Sequence, residues 1–204
     1  MTGFAVDIVL LPPAEVTEAA EAISLALADA TGDSSILLNP ENCIPHISLA
    51  MGCVSESALD PLGEALRSLA CSSLPVRIRS EGASSVMTGS GDCVSGIDIT
   101  PERALLDIHE KALSAMAPFR CQEATGMLLL LPGEEEDPPA YTYIQDYPEC
   151  HAHERYSPHI TLGQGAVEDI VYEIQIPEEF TCTEIAICHL GNHCICRRVI
   201  QRAL

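Results

Sequence analysis

The 204-residue chain is predicted to fold as an α+β protein: antiparallel sheets covered on one face by helices, in two related lobes. Three observations predict this. Short β-rich runs alternate with amphipathic helical stretches in an order containing hairpins, which favours antiparallel sheets over a parallel βαβ array. No glycine-rich phosphate loop follows any strand. A short motif, Pro-His-Ile-(Ser/Thr)-Leu, occurs at Pro45–Leu49 and again at Pro158–Leu162, more than half the chain apart, which suggests two lobes facing each other.

The elements follow in order. Phe4–Leu11 is an apolar β-rich run stopped by Pro12-Pro13 and reads as a strand. Glu15–Ala30 carries Val16, Ala20, Ile23, Leu27 and Ala30 at helical spacing, with acids in its first turn and Gly32-Asp33 after it. Ser35–Leu38 reads as a second strand, and Cys43–Met51 holds the first motif. Ser55–Cys71 is a helix with Leu59, Leu62, Leu66 and Leu69 as its buried stripe. Leu74–Ser80 alternates as a half-buried strand, 82–91 is a polar turn, and Cys93–Thr100 is a strand. Pro101 opens a third helix capped by Thr100, with Leu105, Ile108, Ala112 and Met116 facing the core and His109 beside them. Gly126–Leu131 reads as a strand and 132–155 as a long loop broken by proline. After the second motif, Val171–Ile176, Phe180–Leu190 and Cys194–Ile200 close the chain as strands, the last two joined by a tight turn at Gly191-Asn192. The whole is expected to be a single two-lobed domain over 1–204, with lobes around 1–90 and 91–204 and strands open to exchange between them.

Composition narrows the function. Hydrophobic residues make up 47% of the chain, enough for a packed core, while aromatics are only 4% and Trp is absent. Ten Lys and Arg face thirty Asp and Glu, a formal net charge of −20. That average field repels a long nucleic acid and an acidic membrane alike, so neither is an expected partner. Lys111 is the only lysine, so phosphate contacts fall mostly to arginine. The N-terminal stretch lacks the basic region of a signal peptide, and no apolar run reaches the roughly 18 residues of a membrane helix. Most of the ten cysteines lie singly in apolar patterns (Cys71, Cys93, Cys182, Cys188) and read as buried thiols of a cytoplasmic protein.

The repeat carries the chemistry. In a strand, His46 and Ser48 point to one face and Ile47 and Leu49 to the other; His159 and Thr161 stand likewise against Ile160 and Leu162. An imidazole and a hydroxyl two residues apart, about 7 Å at Cα, suit one phosphate: the hydroxyl grips an oxygen while the imidazole handles a proton. Two such arms place two imidazoles across one pocket. Histidine titrates near neutrality, so one can act as base while the other acts as acid. Ser48 and Thr161 would stabilise the charged non-bridging oxygens, and no metal is required.

With both motifs in hand, the chain resembles the two-histidine phosphoesterase superfamily, which includes RNA 2′,3′-cyclic phosphodiesterases and 2′-5′ RNA ligases. The opening VDIVLLPP, the LLDIHEKAL helix and the closing HLGNHCICRRV stretch also look like the family. The resemblance implies a bilobal fold with a central cleft between two antiparallel sheets. It implies hydrolysis of 2′,3′-cyclic phosphates of short RNA ends or small nucleotides to 2′-phosphates, with reversible 2′-5′ ligation as an accompanying capacity. His159 is then assigned as base and His46 as acid, an assignment that pseudo-symmetry leaves interchangeable. The acidic charge favours a nucleoside cyclic phosphate or short RNA end over long RNA. No cofactor is expected, and the protein is expected to be a monomer.

Other residues have a claim on the site. Tyr143 and Tyr156, in a cluster with Tyr141 and Tyr147, offer rings for a base, against a role in loop packing. Arg155 offers a phosphate contact, or a partner for Glu154 or Glu149. The acidic stretch Glu134–Asp137 either flanks the cleft or is solvated loop. Cys188, His189, His193, Cys194 and Cys196, with Cys150, His151 and His153, carry metal-ligand chemistry, but no paired CxxC knuckles appear. Two other readings compete with the enzyme: a non-catalytic nucleotide or RNA-end binding module on the same fold, and a zinc-binding protein.

Overall fold

The computed structural model describes residues 3–88, 91–121, 126–170 and 174–203. Strand β1 (Gly3–Leu11) is followed by α1 (Ala14–Thr31), β2 (Ile47–Ser55), α2 (Leu59–Ser73), β3 (Val76–Met87), β4 (Cys93–Ile99) and α3 (Arg103–Met116). Then come α4 (Pro138–Asp146), β5 (His159–Gln164), β6 (Glu179–Cys182), β7 (Glu184–Leu190) and β8 (Cys196–Ala203). The strands form two four-stranded sheets, ordered β2-β1-β7-β8 and β5-β4-β3-β6, and every pairing is antiparallel. The α+β class expected from the sequence is the one found. Each sheet takes strands from both sides of residue 90.

The helices form where apolar residues recur at helical spacing. Val16, Ala20, Ile23 and Leu27 of α1, Leu62, Leu66 and Leu69 of α2, and Leu105, Ile108, Ala112 and Met116 of α3 are all buried in one cluster. Gly32 ends α1 in the left-handed region at φ 74°, where glycine carries no Cβ penalty, and its N–H closes on the Ala28 carbonyl. Strand β1 is buried on both faces. Val6, Ile8 and Leu10 join the helix-side cluster, while Ala5 and Val9 join a second one with Tyr141, Ile144, Tyr147 and Leu190.

Several expectations are corrected. Ser35–Leu38 is not a ladder strand: the Leu38 N–H goes to Ser24 Oγ of α1 at 2.9 Å, and Asn39 Oδ1 accepts from the N–H groups of Glu41 and Asn42 to make a turn. The polar stretch from Gly82 is strand as far as Met87, its serines pairing across to β4. Glu102, not Thr100, precedes the first turn of α3. Gly126–Leu131 forms no ladder; single hydrogen bonds, Ala5 N–H to Met127 O and Leu129 N–H to Leu190 O, tie it to the first sheet. The long loop contains α4, because Pro138-Pro139 open a helix rather than break one and Ala140, Tyr141 and Ile144 give it a buried stripe. Phe180–Leu190 is two strands that change sheets at Thr183. Of the strand expected at Val171–Ile176, 171–173 lie outside the described residues and the rest is irregular. The 191–194 turn is a short 3-10 element in which His193 and Cys194 both adopt φ 57°. Cys71 is exposed on α2 and Cys93 half-buried, whereas Cys182 and Cys188 are buried as expected.

Candidate active site

The two motifs meet because β2 and β5 are the edge strands of their sheets and lie against each other. Ile47, Leu49, Ile160 and Leu162 all enter the same hydrophobic cluster and are fully buried. Their partners on the opposite side, His46, Ser48, His159 and Thr161, line one cavity of about 260 Å³. The period-2 alternation read from the sequence therefore produces the site: the greasy pairs anchor the strands and the polar pairs face the cleft.

The backbone repeats as well. Across β1, Ile8 pairs with Ala50 and Val9 with Ser48, leaving Leu49 as an extra bulged residue. Across β4, Ser95 pairs with Gly163 and Gly96 with Thr161, leaving Leu162 bulged in the same way. Bulges of this kind re-aim side chains beside functional sites. Each histidine precedes its bulge and makes the same hydrogen bond: His46 Nδ1 to the Ile44 carbonyl at 2.6 Å and His159 Nδ1 to the Ser157 carbonyl at 2.9 Å. A carbonyl only accepts, so Nδ1 carries the proton in both rings, and in the neutral form Nε2 is left with its lone pair.

The two halves differ in burial and partners. His46 is 7% exposed, and burial pulls its imidazole down from 6.5 to about 4, with the nearby His159 adding to the effect. His159 is exposed. Ser48 Oγ lies 2.6 Å from Asp7 Oδ2, while among the described residues the Thr161 hydroxyl has no hydrogen-bond partner. Asp7 is fully buried, and burial pushes its carboxyl well above the usual range against the lowering effect of Ser48. Its Oδ2 lies 3.8 Å from His46 Nε2, and among the described residues its Oδ1 has no hydrogen-bond partner.

Asp7 is absent from the residues singled out by sequence. The signal for it was a lone acid inside the apolar run Phe4–Leu11, a position where an unpaired carboxylate is costly.

Tyr143, Arg155 and Tyr156 all line the cavity. The Tyr143 ring stacks on His151 at 4.1 Å, and Arg155 Nη1 donates to the Glu149 carbonyl at 3.3 Å. Tyr156 is buried, stacked at 3.8 Å and 5° on His109, and its hydroxyl donates to the Ser48 carbonyl at 2.7 Å. His109 is itself fully buried, with Nδ1 bound to the carbonyl of the bulged Leu49 at 2.6 Å. The stacked pair thus bonds two backbone carbonyls at the motif, beside the bulge.

Tyr147, His151, His193 and Cys194 complete much of the lining. His193 is held there by a turn pinned through Asn192, whose Oδ1 accepts from the Asp137 N–H and whose Nδ2 donates to the Glu135 carbonyl. Of the acidic stretch, Glu134 pairs with buried Arg197. Among the described residues the lining contains four imidazoles and one guanidinium but no carboxylate. In a chain of net charge −20, the cleft is a local exception suited to an anion.

No helix among the described residues is long and apolar enough to cross a membrane. No family model matches the chain, and no curated protein matches it. Solved structures do match in fold. Escherichia coli LigT complexed with ATP aligns over 98% of this chain and 96% of that one, with a TM-score of 0.57 at 15% identity. LigT complexed with phosphate aligns over 99% and 97%, with a TM-score of 0.52 at 15% identity. TT0787 of Thermus thermophilus aligns over 97% and 96%, with a TM-score of 0.57 at 16% identity. The chain has the LigT fold over essentially its whole length, which is the fold the motif resemblance implied.

Proposed function

We propose that this protein is a metal-independent two-histidine phosphoesterase that opens 2′,3′-cyclic phosphates of small nucleotides or short RNA ends to 2′-phosphates. The observation that carries the reading is the matched pair of imidazoles, each with Nδ1 tied to a carbonyl, lining one carboxylate-free cavity. The fold shared with LigT, crystallised with phosphate and with ATP, supports a phosphorylated nucleotide as the ligand class.

The difference in burial favours the reverse of the role order taken from the sequence. His46 is desolvated and neutral at pH 7, so its Nε2 is the base that takes a proton from the attacking water. His159, exposed across the cleft, is then the acid that returns a proton to the departing 3′-oxygen. Water oxygen bonds to phosphorus as the bond to the 3′-oxygen breaks, leaving the 2′-phosphate. Thr161 and Ser48 donate to the non-bridging oxygens, and Arg155 sits at the cavity wall as their counter-charge.

The direct test is incubation with a nucleoside 2′,3′-cyclic phosphate in EDTA. The expected product is the 2′-monophosphate; the absence of turnover, or its abolition by EDTA, overturns the reading.

A pH profile tests the role assignment. Protonation of the base stops the reaction, so lowering its pKa extends activity toward acid. The acid limb of kcat/KM is expected near pH 4, where His46 gains its proton, rather than near 6.5. A limb near 6.5 would assign the base to another group.

A further inference from the structure

The cleft floor brings the proposed base, His46, together with two further ligating side chains. Asp7, His46 and Cys196 are all buried, and one ligand atom from each lies within 4.8 Å of the others. They come from different parts of the chain: Asp7 from β1, His46 from the residue before β2, and Cys196 from the start of β8. Sheet order brings them together. Asp7 stands directly opposite Cys188 on β7, and Cys196 pairs with Leu190 two residues further along β7. The backbone locks the third member in, because the Ile44 N–H donates to the Cys196 carbonyl at 2.8 Å while the Ile44 carbonyl takes His46 Nδ1.

Two features point to a cation. Asp7 Oδ1 is a fully buried carboxyl oxygen with no hydrogen-bond partner among the described residues, an arrangement that is costly unless something positive or protic occupies its free side. The set also mixes carboxylate, imidazole and thiol, the ligand types of zinc and its soft relatives rather than of magnesium or calcium. His46 and the neighbouring Cys43 and Cys194 line the cavity, so an ion has a path in from solvent. Tetrahedral zinc brings its donors to about 3.4 Å from one another, so this set has to contract by up to about 1.4 Å.

We infer that Asp7, His46 and Cys196 form an inhibitory site for a thiophilic divalent cation, zinc being the natural occupant, and that its binding switches the phosphoesterase off. Zinc takes His46 through Nε2, since Nδ1 is committed to the Ile44 carbonyl. That nitrogen is the one that accepts the proton of water, so the metal-bound protein has no base. Binding releases the Cys196 thiol proton to solvent and, where Asp7 is protonated, its carboxyl proton as well. The inhibitory consequence rests on the phosphoesterase reading; the binding site itself does not.

The experiment uses the full chain with exposed Cys71 and Cys150 changed to Ser, so that surface thiols do not contribute, and strips it with EDTA before use. Cobalt(II) titration is expected to give a thiolate-to-cobalt charge-transfer band saturating at one ion per chain, and zinc to erase it. In Cys196→Ala the band disappears and zinc affinity falls by more than about 100-fold, beyond the loss expected for an outer partner alone. Asp7→Asn, which keeps the shape of the side chain, weakens binding in the same direction and guards against a misfolded alanine variant, with circular dichroism on both. One equivalent of zinc is expected to stop turnover of the parent protein, EDTA to restore it, and Cys196→Ala to turn over normally in EDTA and resist zinc. A missing thiolate band, or one undiminished in Cys196→Ala, overturns the site. A band without loss of turnover overturns the inhibition. Failure of the stripped protein to open any cyclic phosphate overturns the phosphoesterase reading and the inhibition together, while the cobalt band still decides the site.

Discussion

Replacing His159 with alanine is expected to lower kcat for a 2′,3′-cyclic phosphate by about 10²- to 10⁴-fold, the usual contribution of a positioned acid or base. His159→Ala should leave the thermal midpoint nearly unchanged, because the ring is exposed and its hydrogen bond is to a local carbonyl. His46→Ala should cost as much in rate and more in stability, since that ring is 7% exposed and fills space beside Asp7. The double variant should be scarcely slower than either single one. Base and acid act in the same transition state, and removing one already forfeits most of what the other supplies. Steady-state kinetics on the three variants, with urea denaturation of each, check this. Additive losses in the double variant would mean that the two rings do not work as a unit.

The shared site was legible in the chain because it is written twice. Pro-His-Ile-(Ser/Thr)-Leu fixes the period of two and with it the face on which each side chain falls, and both Ile-Leu pairs do enter the core. What the repeat could not reveal is how its two copies differ. His46 sinks to the cleft floor and His159 stays exposed, a contrast set by the packing around each sheet edge and not by the motif. The bulges at Leu49 and Leu162 leave no mark in the alternation until the partner strands are known.

The strand misreadings have a common cause. Phe180–Leu190 is continuous in hydrophobicity yet serves two sheets, and Gly126–Leu131 is apolar because it covers a sheet rather than joins one. Local pattern reports burial, while sheet membership depends on partners distant in sequence. The helix at 138–146 was hidden by its own Pro138-Pro139, read as breakers when they stand at the helix start.

Ser48→Ala is expected to do two kinds of damage where Thr161→Ala does one. Each removes a hydroxyl that in the proposed mechanism donates to a phosphate oxygen, and each should lower kcat by about 10²-fold, the low end for loss of an oxyanion donor. The Thr161 hydroxyl has no partner among the described residues, so its loss should leave stability almost unchanged. Ser48 Oγ is the hydrogen-bond partner of buried Asp7 Oδ2, and Asp7 Oδ1 already has none. Removing it leaves a carboxyl with no access to water supported only by the Ala50 and Leu49 backbone, at a cost of about 1–3 kcal/mol. The chemistry of Asp7 also sets the direction of that bond. In the structure Ser48 Oγ donates to Asp7 Oδ2; burial raises the Asp7 pKa, and a protonated Asp7 would reverse that bond and free the serine proton for phosphate. Asp7→Asn keeps a donor in the same place. It should therefore retain turnover far better than Asp7→Ala, and in an Asp7→Asn background the stability cost of Ser48→Ala should shrink, because a neutral amide is cheaper to strand than a carboxyl. A double-mutant cycle read by both kcat and urea unfolding separates the two roles. If Asp7→Asn is as inactive as Asp7→Ala, the carboxylate itself is required, and Ser48 meets the phosphate as something other than a proton donor.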